Sequence, residues 1–172
     1  MQLISPHFSW SVLRDSWIEF LAPKSELDSL ITLATNYDGS ETRRSRSPLS
    51  DNVPSRIRYV QNLVYQWEAK LHRKFLGRNW HRMTDRRMQG YGFVEHAQTN
   101  IHYHLLVDLA PLNAVRPMVD IQAHQVWRRL TGRGDLDIRP VESNRRDVVE
   151  YLLKEHWKAE VRDALLFFPP TV

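Results

Sequence analysis

The chain has 172 residues, one domain by length, and is large enough to bury a core without disulfides or a structural metal. Its formal charge of +4 and pI near 9.6 suit a polyanionic partner such as nucleic acid, and the absence of cysteine excludes disulfides and thiolate-bound zinc and suits a reducing cytoplasm. No apolar run approaches the roughly 18 residues of a membrane span and no signal pattern opens the chain, so a soluble protein without a membrane partner is expected.

In chain order, residues 9–22 place Trp10, Leu13, Trp17, Phe20 and Leu21 at helical spacing before Pro23, which predicts a helix packed across one side of a sheet. Leu30–Asn36 reads as a buried strand. The stretch that follows, 38–54, is polar and rich in serine and arginine, and reads as a flexible basic loop. Its Arg43, Arg44 and Arg46 are candidate DNA contacts, because such a segment can order on a phosphate backbone. Ile57, Val60, Val64, Trp67, Leu71 and Phe75 then recur along a helix from Ser55 to Leu76, stopped by Gly77, with Arg58, Lys70, Arg73 and Lys74 on its solvated face. The basic and aromatic segment 78–87 offers Arg78, Trp80, Arg86 and Arg87 as a second nucleic-acid surface.

Two β-prone runs come next, Gly90–His96 and Ile101–Val107, flanking the polar link Ala97–Asn100 in a hairpin pattern. A helix is predicted from Pro117 to Leu130, and a strand over Asp135–Val141, where Pro140 marks an edge or a strand end. Asn144 with Asp147 three residues on has the form of an N-cap, opening a helix to about Trp157. The tail Phe167–Val172, with its prolines, is expected to be irregular. No repeat or second domain is visible, so 1–172 reads as a single domain.

The hairpin carries the first chemical signal. Alternate side chains of a strand share a face, so His102, His104 and Leu106 point one way and Tyr103, Leu105 and Val107 the other. If the link closes symmetrically, residues whose numbers sum to 197 pair, which sets Glu95 opposite His102 with Cβ atoms about 4.5–5.5 Å apart. A lone histidine on a strand is more often packed or solvated than a ligand. Two at i and i+2 with a carboxylate across the ladder suit a divalent cation that keeps open positions for a substrate oxygen. A single-residue bulge would break the Glu95 register and leave the histidines paired.

The last helix carries the second. Val149, Leu152, Leu153, His156 and Trp157 form its core face, while Tyr151 and Lys154, three apart, lie together on the other side. A phenol ionises near pH 10 and is a poor nucleophile at neutral pH, so attack on a phosphodiester needs help. A metal can polarise the phosphate, and a neighbouring ammonium can stabilise the phenolate or position the phosphate.

In this order the motifs resemble those of the HUH endonucleases, the rolling-circle replication initiators, relaxases and single-tyrosine transposases. His102-Tyr103-His104 matches the family's His-hydrophobic-His motif, and Val148 to Lys154 matches the V-x-x-Y-x-x-K motif of its replication-initiator branch. Leu30 to Thr35 looks like that branch's first motif, an apolar strand carrying threonines. The resemblance covers about residues 29–158. It implies an α+β fold, a central antiparallel sheet of about five strands with flanking helices in a palm-like or RRM-like arrangement. It also implies site-specific nicking and rejoining of single-stranded DNA, with a hairpin origin as the expected target and initiation of rolling-circle replication as the outcome. In that reading His102, His104 and Glu95 bind Mg²⁺ or Mn²⁺, Tyr151 keeps the 5′ end as a phosphotyrosine, and Lys154 assists. Position 155 is glutamate, so the chain looks like a one-tyrosine enzyme, working as a monomer or homodimer. It has no G-x-x-x-x-G-K-[ST] loop, so a separate helicase and polymerase are expected.

Three other readings use the same residues. A single-tyrosine transposase or mobilisation relaxase would share the site and differ in DNA outcome. A non-haem Fe(II) oxygenase also uses two histidines and a carboxylate, but Tyr151 and Lys154 have no place in it. A non-catalytic nucleic-acid module would use an RRM-like sheet through stacked aromatics.

Overall fold

The computed structural model describes residues 10–36, 52–142, 144–156, 158, 161 and 164–168. Arg43, Arg44, Arg46 and Trp157 lie outside the described residues. Four helices, α1 (Trp10–Leu21), α2 (Val53–Leu76), α3 (Arg116–Thr131) and α4 (Arg145–Leu152), flank a sheet of five strands: β1 (Ser29–Ala34), β2 (Gln89–Glu95), β3 (His102–Asp108), β4 (Asp135–Pro140) and β5 (Leu166–Phe168). The sheet order is β4-β1-β3-β2-β5, antiparallel throughout. This is the α+β architecture expected, and Pro140 ends an edge strand where its missing N–H costs no ladder bond.

The hairpin register holds along its whole length. Pairs run from Gln89–Asp108 to Glu95–His102, always summing to 197, with no bulge. The two faces of β3 therefore have different neighbours. Tyr103, Leu105 and Val107 face the larger core, where α2 and α3 contribute Ile57, Val64, Trp67, Ala123 and Trp127. Polar atoms carried into that core find partners: the Trp67 indole donates to Ala123 O (3.1 Å), Trp127 to Ala34 O (2.9 Å), and the Tyr103 hydroxyl to Ala164 O (3.3 Å). On the other face Leu106 and Phe93 form a smaller core with Ile18 and Leu21 of α1 and Val149 and Leu152 of α4. His102 and His104 share that face.

Three local expectations change. Helix α4 begins as predicted, with Asn144 Oδ1 accepting from the Asp147 N–H, but it ends at Leu152. Beyond it the backbone bonds shorten to three-residue steps, Lys154 N to Tyr151 O and His156 N to Leu153 O, so Lys154 and Glu155 lie in turns. Phe167 and Phe168, expected to be irregular, join Leu166 in the edge strand β5, held by the Tyr91–Phe167 pair and its neighbours. The buried stripe of α1 is Ile18 and Leu21, whereas Phe20 is 48% exposed, because α1 packs on the sheet and on α4 together.

Glycine at position 92 is what lets β5 dock. A Cβ there would lie 2.8 Å from Leu105 Cδ2 and 3.0 Å from Leu166 Cβ, closer than carbon atoms tolerate. Gly92→Val should therefore destabilise the protein by about 1–3 kcal/mol in urea unfolding, with the Trp67 environment retained in what remains folded. Wild-type stability in that variant would show that β5 is not packed as described.

Candidate functional site

Antiparallel pairing sets the site side chains in rows across the sheet. One row runs Glu95, His102, Ala34, Asp135; the next runs Phe93, His104, Thr32, Asp137. Glu95 and His102 are thus direct neighbours, and His104 is one row away on the same face. Helix α4 crosses this face and brings Tyr151 over it. The Tyr151 ring centroid is 5.4 Å from that of His104, its hydroxyl donates to Glu95 Oε2 at 3.4 Å, and the residue remains 44% exposed.

The Glu95 carboxylate, 4% exposed, divides its two oxygens between different partners. Oε1 faces the Lys154 ammonium and, at 3.1 Å, His96 Nε2. Oε2 faces His104 Nε2 and the Tyr151 hydroxyl. The second ring nitrogen of His104 lies 3.0 Å from the Thr32 hydroxyl. Lys154 also stands over the Tyr151 ring, 3.9 Å from its centroid.

Sequence reasoning missed His96. Strand alternation would send it to the face opposite Glu95, but its φ of +55° breaks the alternation at the end of β2. Glu155 holds it there, accepting from the His96 N–H at 2.9 Å. The Glu155 carboxylate therefore anchors the hairpin end. Thr32 and Glu155 gave no metal or catalytic signal of their own, since each acts through another residue.

Burial shapes the electrostatics. It works to raise the Glu95 pKa, but the hydrogen bonds from Lys154 and His104, and their charges, outweigh it and hold the carboxylate below its ordinary range. Burial lowers the His102 pKa, helped by the neighbouring His104 and His96, and burial also lowers that of His104 against the opposing pull of Glu95. Desolvation of Lys154 is outweighed by its bonds to Glu95 and Tyr151, which raise its pKa. The face thus holds an ionised carboxylate, a charged ammonium and imidazoles biased to the neutral form that a metal requires.

A metal fits this donor set. Glu95, His96 and His102 each offer one ligand atom, and the three atoms lie within 4.8 Å of one another. The Nε2 atom of His102 is buried without a hydrogen-bond partner, as expected of a nitrogen whose partner is a cation. His104 stands beside this group rather than in it, with both ring nitrogens occupied by Glu95 and Thr32. The Thr32 hydroxyl can donate or accept, so it can support either His104 tautomer, including the one that frees Nε2 for a metal.

Comparison of the chain with protein-family models, curated proteins and solved structures gave no match.

The remaining candidates lie elsewhere. Segment 78–87 precedes β2 and so sits at the end of the sheet away from Glu95, about 20 Å along the strand. Arg78 and Arg86 are exposed there. Arg87 is buried, with its guanidinium 5.9 Å from the Trp80 ring, which also lies 5.3 Å from the buried His72 and 6.3 Å from His81. The structure does not bring these residues to the candidate metal face.

Calorimetric titration with Mn²⁺ tests the centre. His102→Ala should weaken binding by at least about tenfold. Binding unchanged in His102→Ala would remove the centre.

Proposed function

We propose that this chain is a metal-dependent, single-stranded DNA nickase and rejoining enzyme of the HUH endonuclease type, with Tyr151 as its nucleophile. The observation that carries this reading is the meeting of a half-exposed phenol with a candidate metal-ligand set through one carboxylate: Tyr151 donates to Glu95 Oε2, and Glu95 is grouped with His96 and His102, its Oε1 lying 3.1 Å from His96 Nε2. A phenol packed for stability would not need to be exposed, and a surface phenol would not need a buried acceptor.

The chemistry divides among named side chains. When bound by Glu95, His102 and either His96 or His104, a divalent cation, Mg²⁺ or Mn²⁺, would polarise the scissile phosphate and offset charge as it develops. The Tyr151 oxygen attacks phosphorus while the bond to the 3′ oxygen breaks. The DNA 5′ phosphate remains on Tyr151 as a phosphodiester, and the 3′ oxygen departs and takes up a proton as a free hydroxyl. The hydrogen bond to Glu95 gives the phenolic proton a route away, and the Lys154 ammonium over the ring favours the phenolate that remains. Because the linkage keeps the phosphodiester energy, the same groups run the reaction backwards, and attack by a 3′ hydroxyl rejoins the strand.

Incubation with single-stranded oligonucleotides and Mn²⁺ should give a covalent protein–DNA species on a denaturing gel. Tyr151→Phe should abolish it and leave DNA binding intact, and Lys154→Ala should slow its formation by about 10- to 100-fold. An adduct persisting in Tyr151→Phe would defeat the assignment of the nucleophile.

A further inference from the structure

The face that holds the candidate centre continues into a row of aromatic rings. Tyr91, Phe93 and Glu95 alternate on that side of β2, and Phe167 of β5 pairs directly with Tyr91, so Phe167 points the same way. Helix α1 lays Trp17 and Phe20 beside them. The ring centroids of Tyr91 lie 6.0 Å from Trp17, 5.6 Å from Phe20 and 5.9 Å from Phe167, each pair edge to face. Phe93, in the row of His104, is buried and touches Trp17 at 6.1 Å. Phe20 and Phe167 are 48% and 42% exposed. Lys24 stands 4.6 Å over the Phe20 ring.

We propose that Phe20, Tyr91 and Phe167 are a stacking platform for unpaired bases of single-stranded DNA, continuous along β2 with the candidate metal centre. Bases suit the patch because stacking needs exposed ring surface and little hydrogen-bond readout. Continuity is set by the strand: Tyr91 and Glu95 are four residues apart, about 13 Å, a distance that a few nucleotides bridge. Lys24, over the Phe20 ring and 4.0 Å from Glu26, brings a cation to the edge of the platform. A second copy of the chain fits less well. Two half-exposed phenylalanines and a partly exposed tyrosine offer roughly 200–300 Å², against about 800 Å² per partner in a stable dimer.

This platform deepens the nickase reading and rests on it for the polarity of the bound strand, but its test needs no cleavage. Fluorescence anisotropy with labelled oligo(dT), and with an abasic oligomer of equal length, is measured in EDTA on the full chain. Wild type should prefer oligo(dT) by at least about tenfold. Phe20→Leu and Phe167→Leu should each lose most of that preference, with binding of the abasic oligomer unchanged, and Phe20→Trp should retain it. Equal affinity of wild type and both leucine variants for the two oligomers would overturn the platform. So would light scattering that finds a dimer in wild type and a monomer in the leucine variants, since the rings would then join copies of the chain. Loss of the base preference in the leucine variants, in a protein that forms no adduct with Mn²⁺, would keep the platform and remove the nickase. An adduct formed equally well by both leucine variants, with the base preference intact, would do the reverse.

Discussion

A single buried carboxylate organises the functional face. Burying an ionised group is costly unless it is paired and hydrogen-bonded, and Glu95 is surrounded by groups that do both: Lys154, His104, His96 and Tyr151. They come from three places in the chain. His104 arrives by hairpin register, His96 by a backbone turn, and Tyr151 and Lys154 together from the end of α4. The carboxylate therefore fixes how the helix end sits on the sheet, and the sheet supplies the rigidity. Removing Glu95 would leave the Lys154 ammonium facing two imidazoles without the carboxylate that pairs with all three. The arrangement is one unit in the sense that no partner keeps its surroundings when the carboxylate goes.

The two faces of the sheet divide the work of the domain. The larger core, under α2 and α3, is closed by indoles and a phenol whose polar atoms bond to backbone carbonyls. The smaller core, under α1 and α4, is interrupted by the site and bordered by half-exposed rings. Ion pairs tie α1 to α4 only at the surface, as between Arg14 and Glu150 at 3.2 Å, where each side chain is about a third exposed and the pair contributes little to stability. The larger core holds most of the buried apolar residues, and the other face combines a smaller apolar core with polar side chains. That division lets a sheet of ordinary size carry histidines and a carboxylate at its centre.

The legible parts of the sequence were those governed by short-range rules. Period-two alternation and a symmetric link were enough to place Glu95 opposite His102, because no bulge intervened. Helical spacing and Gly77, at φ +82°, were enough for α2. The illegible parts depended on distant partners. The apolar pattern of α4 runs on past Leu152, yet the helix stops there because Lys154 and Glu155 reach back to the hairpin end. His96 sits at positive φ, uncommon for a residue with a side chain, and no alternation rule could return it to the site face. Strand β5 is three residues long, is followed at once by Pro169 and Pro170, and docks in the space left by Gly92.

How the carboxylate is shared also bears on how the two halves of the site can act together. Oε1 faces His96 and Lys154, and Oε2 faces His104 and the phenol. A change in charge at one oxygen is felt at the other through a single delocalised group, without movement of the backbone. Lys154 reinforces this coupling, since its ammonium touches Oε1 and stands over the tyrosine ring together. Positive charge drawn to Oε1 weakens the hold of Glu95 on Lys154 and leaves the ammonium to the phenol, where a developing phenolate would welcome it. The candidate metal-ligand set and the proposed nucleophile are joined by electrostatics within one carboxylate and one lysine, and the three-residue spacing of Tyr151 and Lys154 is what allows that lysine to reach both.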